Sequence, residues 1–126
     1  MDWYDTLNKP FLNPPSDIFT PVWTILYIMM ALSLIFYLKG GNIKEKKTGL
    51  FLFIIQLLLN FAWSGVFFGM QNIFLALIVI ILMWLFILFT VIAFFKHSKL
   101  AAIMLIPYLV WVSFAFYLNL SFWILN

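Results

Sequence analysis

Uncharged, largely apolar residues form three runs of this chain, 18 to 38, 48 to 95 and 100 to 126, and charged side chains stand only between these runs and ahead of the first. A helix rises 1.5 Å per residue, so about 20 apolar residues cross the roughly 30 Å of bilayer hydrocarbon. The outer runs make one span each. The middle run is too long for one span and breaks at Gly69-Met70-Gln71-Asn72, which predicts two. The pattern thus predicts four spans, near 18–38, 48–68, 73–95 and 100–125. The expected fold is all-α: an integral membrane protein built as a four-helix transmembrane bundle over 18–126.

Ahead of the bundle, residues 1–17 hold Pro10, Pro14 and Pro15. Proline fixes φ near −65° and has no N–H, so this segment is expected to be a stiff, turning loop. It would lie as a lid across the mouth of the bundle. Its acids and prolines leave no apolar core, and no cleavable signal is expected there.

Composition strengthens the membrane reading: 67% of residues are hydrophobic and 9% charged, far outside the range of soluble domains. The net charge of +3 does not imply a nucleic-acid partner, because the lysines sit in short loops beside the spans. Lys39, Lys44, Lys46 and Lys47 follow the first span, and Lys96 and Lys99 follow the third. By the positive-inside rule these loops are expected to be cytoplasmic, with both termini extracytoplasmic, in a bacterial cell membrane.

Polar side chains within the spans are few: Gln56, Asn60, Ser64, Thr90, Ser113, Asn119 and Ser121. Gln56, Asn60, Trp63 and Phe67 are spaced four, three and four apart, which puts two amides and an indole on one helical stripe. Such a stripe is either interhelical glue or a ligand-contacting surface. Trp111, Ala115, Leu118 and Asn119 make a comparable stripe in the last span, with Tyr108 beside it. Trp23 and Tyr27 share a face of the first span. Trp3 and Trp123 fit membrane-interface anchoring, whereas Trp23, Trp63 and Trp111 are candidates for a shared pocket and Trp84 for core or helix contact. In the Gly65/Gly69 pair, helix termination is favoured over close helix packing.

Several chemistries lose their footing. Without cysteine there are no disulfides, thiolate ligands or thiol catalysis. No ionisable Asp, Glu, Lys, Arg or His lies within the spans, which argues against proton-coupled export of the small multidrug type and against general acid/base catalysis. The lone His97 is a loop residue, and Met29, Met30 and Tyr27 are not distinguished from packing residues as axial ligands. No metal site and no required cofactor are expected. A metal-free, flat aromatic ligand held by stacking and a few amides is the natural fit.

Four stretches in order carry a resemblance: WYDTLNKPFLNPPSDIFTPVWTILY over 3–27; Asn60, Ala62 and Trp63 with Phe67-Phe68-Gly69; Pro107-Tyr108-Leu109 with Trp111; and Phe114-Ala115, Leu118-Asn119 and Trp123. The chain resembles the tryptophan-rich sensory protein / translocator protein family (TspO/MBR, peripheral benzodiazepine receptor type). The resemblance implies a five-helix membrane bundle, often dimeric, with a pocket for porphyrins under the loop after its first helix. It also implies cholesterol or benzodiazepine-type ligands in some members and light-dependent protoporphyrin breakdown in some bacterial ones. Carried over by position, Trp23 and Trp111 would face each other across the pocket and be the photochemical candidates. Tyr27, Asn60, Trp63, Tyr108, Ala115 and Leu118 would line the rest.

The departures are specific. The sequence starts at the loop that follows the family's first helix, so a short form or a helix donated by a neighbouring subunit is expected, alongside a possible homodimer. Leu12 stands where the family usually has a lid Trp, Val79 where some members have an acid, and Leu120 and Ile124 where the cholesterol motif needs a Tyr and a base. The leading expectation is a membrane receptor for porphyrins or similar flat hydrophobic ligands. A small transporter of such ligands and a structural membrane scaffold are the alternatives.

Overall fold

The computed structural model describes residues 19–39 and 43–126; the proline-rich segment, with Trp3, Leu12, Pro10, Pro14 and Pro15, lies outside them. Four helices follow in the expected order: α1, Phe19–Leu38; α2, Lys47–Ser64; α3, Ile73–Phe95; and α4, Lys99–Leu125. All four are long and apolar enough to cross a membrane. The described residues contain no strand.

Each helix buries one line of residues, and the steps along each line alternate between four and three. On α1 the line is Leu26, Met30, Ser33 and Tyr37. On α2 it is Gly49, Phe53, Gln56, Asn60 and Trp63, continued by Phe67. On α3 it is Ala76, Ile80, Met83, Ile87, Thr90 and Phe94. On α4 it is Ala101, Leu105, Tyr108, Val112, Ala115, Asn119 and Phe122. An average step of about 3.5 residues is the period of a left-handed bundle, in which a seam keeps facing its neighbours along the whole helix. The opposite faces expose Ile25, Ile28, Phe51, Leu58, Ile92 and Val110. Those faces would associate in water, but hydrocarbon solvates them, and the polar side chains turn inward instead.

Helix α3 packs between α2 and α4, and α1 packs closely only on α4. The contacts of α2 with α1 and α4 are made chiefly by long side chains rather than by close backbone approach. Helix α2 therefore stands apart from α1 and α4 across a shared interior. The close α1–α4 contact has a reason in small residues: Ser33 Oγ, fully buried, donates to the Ala101 carbonyl at 2.6 Å, beside buried Ala102.

The middle run breaks at Met70-Gln71-Asn72, after α2 finishes in a π-helical turn, Gly65–Gly69, whose Gly65 carbonyl accepts from Met70 N–H at 2.8 Å. A side chain added at Gly65 or Gly69 would meet nothing within 4 Å among the described residues, so neither glycine serves a close helix contact there, and Gly69 stands at the end of the helical run. The left-handed backbone position falls on Gln71, φ 55°. Asn72 then caps α3 by accepting from Leu75 N–H at 3.0 Å, and Ser98 caps α4 by accepting from Ala101 N–H at 3.2 Å.

At the lysine-bearing end, Tyr37 stacks on Phe94 at 3.8 Å and 10°, and its hydroxyl donates to the Lys46 carbonyl at 3.1 Å. Gly49 faces this ring, and a Cβ there would collide with the Tyr37 hydroxyl and ring carbon. Gly49→Ala is expected to lose about 1–3 kcal/mol by overpacking. Gly65→Ala, with open space around it, should be neutral or gain up to about 1 kcal/mol from helix propensity. Thermal unfolding in detergent micelles measures both; equal midpoints for the two variants would show that Tyr37 is free to move aside.

Candidate functional site

The residues singled out by sequence on three different helices meet in the interior between α1, α2 and α4. Trp23 is at the centre. Its ring lies 5.9 Å from Tyr27, 6.5 Å from Trp63, 6.5 Å from Tyr108 and 6.3 Å from Trp111. The last two contacts are edge-on, at 70° and 89°, the arrangement that sets a positive ring edge against a π face. Trp23, Tyr27 and Trp111 are half-buried, whereas Asn60, Trp63, Tyr108, Ala115 and Leu118 are buried. Trp23, Tyr27, Asn60, Trp63, Tyr108 and Trp111 are thus brought together, while Ala115 lies on the buried line of α4 and Leu118 is buried beside that line.

Under the aromatic rings runs a set of hydrogen bonds linking the three helices. The Tyr27 hydroxyl donates to Asn60 Oδ1 at 2.5 Å, and Asn60 Nδ2 donates to the Tyr108 hydroxyl at 2.8 Å. Tyr108 in turn donates to Gln56 Oε1 at 2.8 Å, and Gln56 Nε2 donates to Met30 Sδ at 3.7 Å. Separately, Trp63 Nε1 donates to Asn119 Oδ1 at 2.9 Å, and Asn119 Nδ2 donates to the Ile73 carbonyl at 3.1 Å. The interhelical reading of the amides therefore holds for Gln56, Asn60 and Asn119, and it places them beside the aromatic cluster. Amides, hydroxyls and indoles suit a neutral ring system with polar edges better than a hard cation, which takes carboxylate and carbonyl oxygens.

Met30 was not distinguished from packing residues by sequence, yet its sulfur is a partner of Gln56. The available signal is its position three residues after Tyr27, on the same face of α1. Ser33, which no amide or aromatic stripe marks in the sequence, lies one step further along the same buried line.

The other two tryptophans among the described residues, Trp84 and Trp123, are elsewhere. Trp123 is 45% exposed near the end of α4, tilted against Phe74 at 5.4 Å. Trp84 is half-buried on α3, and its Nε1 donates to Ser113 Oγ at 2.8 Å while Ser113 donates to the Leu109 carbonyl at 2.9 Å. Trp84 and Ser113, with Ile81, Leu85 and Phe116, line a groove of about 470 Å³ between α3 and α4. It is a second hydrophobic site, distinct from the Trp23 cluster and without amides.

Comparison with known proteins agrees with the motifs. The sequence profile of the TspO/MBR family matches residues 1–124. A tryptophan-rich protein TspO of Chlorobaculum tepidum is 51% identical over 125 residues, covering 98% of this chain and 79% of that protein. A tryptophan-rich sensory protein of Cereibacter sphaeroides is 38% identical, covering 99% and 77%. A human translocator protein is 37% identical, covering 96% and 73%.

The hydrogen bonds yield an ordering of stabilities. Tyr108→Phe removes the hydroxyl that both accepts from Asn60 and donates to Gln56, leaving two buried amide groups short of a partner. Tyr27→Phe removes one bond at the half-buried end. Buried polar groups left without a partner cost about 1–3 kcal/mol each, and membrane hydrogen bonds fall toward the lower end. Tyr108→Phe should therefore lower the unfolding midpoint in micelles clearly more than Tyr27→Phe; the reverse order would mean the amides re-pair on losing Tyr108.

Proposed function

The chain belongs to the TspO/MBR family, and from that premise we propose that it is a membrane receptor for flat hydrophobic ligands of the tetrapyrrole class, with a metal-free porphyrin as the best-fitting example. The observation that supports this reading is the meeting of Trp23, Trp63 and Trp111 with Tyr27 and Tyr108 in one interior, beside fixed amides. The macrocycle would take the place of ring-to-ring contacts around Trp23. Its edge substituents would meet the amide and hydroxyl groups. Membrane lipid surrounds the exposed apolar faces and delivers such a ligand from the bilayer.

Protoporphyrin titration followed by tryptophan fluorescence tests the reading; saturable quenching is expected. Trp23→Phe or Trp111→Phe alone should change affinity little, because most of the apolar area remains. Replacing both by Ala removes aromatic pairs worth about 0.5–1.5 kcal/mol each beyond area burial. That corresponds to a loss of about fivefold to a hundredfold, at about 1.4 kcal/mol per tenfold. Trp84→Phe is the control. Unchanged binding in the double Ala variant together with a loss in the Trp84 variant would move the ligand to the outer α3–α4 groove.

The lysine-bearing loops at Lys44 and Lys99 are cytoplasmic and both termini extracytoplasmic in this reading, on the asymmetry of lysines. An impermeant thiol reagent on intact cells should label Thr6→Cys and spare Asn42→Cys and Ser98→Cys. The opposite labelling would invert the orientation.

A further inference from the structure

The bonds from Tyr27 to Met30 all point one way. Each donor faces the next acceptor: Tyr27 to Asn60, Asn60 to Tyr108, Tyr108 to Gln56 and Gln56 to Met30. An amide side chain carries a donor at one end and an acceptor at the other, and a hydroxyl can reverse, so such a relay has two possible directions. The Met30 thioether has no proton to give. It therefore keeps the Gln56 NH₂ toward itself and the Gln56 oxygen toward Tyr108. Tyr108 must then donate to Gln56 and accept from Asn60. That leaves the Asn60 oxygen facing Tyr27, so Tyr27 must donate inward.

The consequence appears at the outer end. Met30, Gln56, Asn60 and Tyr108 are buried, and Tyr27 alone of the five is half-buried, with its ring beside Trp23. Its one hydroxyl proton is committed to Asn60, so toward a ligand it offers only a lone pair. We propose that Met30 fixes the polarity of this relay and thereby makes the site selective for flat ligands that present a neutral N–H or O–H donor to Tyr27. Carboxylates and ethers, which can only accept, meet a lone pair there and are disfavoured at this position. Tyr27 is the contact that reads the ligand; Met30, one turn along α1, is a positioning residue that acts on it through the four hydrogen bonds of the relay. This rests on the porphyrin-class reading of the same site.

The test uses two probes that share macrocycle and carboxylates: hematoporphyrin, which carries two alcohols, and its dimethyl ether, in which both alcohols are methylated. The full-length protein in micelles should prefer the alcohol about three- to tenfold, the range set by one net hydrogen bond. Tyr27→Phe supplies the baseline for the steric effect of the methyl groups, and the preference should vanish there. Met30→Leu conserves volume, removes the sulfur and frees the relay to reverse, so the preference should shrink by at least half, mainly through tighter ether binding. Both porphyrins binding with a ratio unchanged by Tyr27→Phe would overturn the proposal and leave the porphyrin reading standing. A ratio changed by Tyr27→Phe but not by Met30→Leu would overturn the role of Met30.

A measurement without ligand separates the two readings further. The tyrosine C–O stretch, seen by infrared with ring-labelled tyrosine and isolated by subtracting the Tyr27→Phe spectrum, reports whether the hydroxyl donates. It should be a donor band in the wild type and acquire an acceptor component in Met30→Leu. Binding of neither porphyrin would defeat the porphyrin reading, and an identical Tyr27 band in wild type and Met30→Leu would defeat the polarity lock independently of any ligand.

Discussion

Asn60 holds this bundle in its particular arrangement. In hydrocarbon the outer faces of four apolar helices gain nothing by meeting one another, because lipid tails solvate them as well as another leucine would. What distinguishes one register from the next is packing along the seams and the cost of leaving an amide without partners. Asn60 lies on the seam of α2, accepts a hydrogen bond from Tyr27 on α1 and donates one to Tyr108 on α4. Sliding any of the three helices by a turn, about 5.4 Å, would break at least one of these bonds. Trp63 and Asn119 repeat the device one turn along, tying α2 to α4 and to the first residue of α3.

These polar ties also explain why the site is here. Small residues draw α1 onto α4, where Ser33 meets Ala101, and such contacts close the gap between backbones. Tyr, Trp and the amides have the opposite effect, spanning a wider separation of α2 from α1 and α4. The wide part of the bundle is therefore lined by the side chains that fill it. Phe53, Phe94 and Tyr37 perform the same filling toward the lysine-bearing end, but as a stack of parallel rings at 3.8 and 5.9 Å without amides among them.

Most of this was legible in the sequence where a periodicity carries it. The stripe Gln56, Asn60, Trp63 and Phe67 is a run of fours and threes, and all four are buried. The spans were bounded by charge and turn residues, so their ends fall within a residue or so of the helices, apart from the π-helical finish of α2. What periodicity does not carry is the choice of partner across helices. Met30 reads as one more apolar residue on α1, and only the placement of Gln56 opposite it gives its sulfur a role. Gln71 likewise shows nothing beforehand of its positive φ, since the turn contains a glycine two residues earlier that would accept it at lower cost.

The cluster and the relay respond differently to a ligand. Each contact of Trp23 with a neighbouring ring can be exchanged for a contact with another flat π system, and little dispersion energy is lost in the exchange. A bond within the relay has no such substitute, since separating Asn60 from Tyr108 leaves two buried polar groups at about 1–3 kcal/mol each. On the proposed receptor reading, an incoming aromatic ligand would therefore rearrange the rings first and leave the amides in place. The rings supply adaptable area, and the amides supply a fixed polar edge against which orientation is read. On the proposed reading, a site divided in this way would accept several flat ligands while still discriminating among them by a single hydrogen bond at Tyr27.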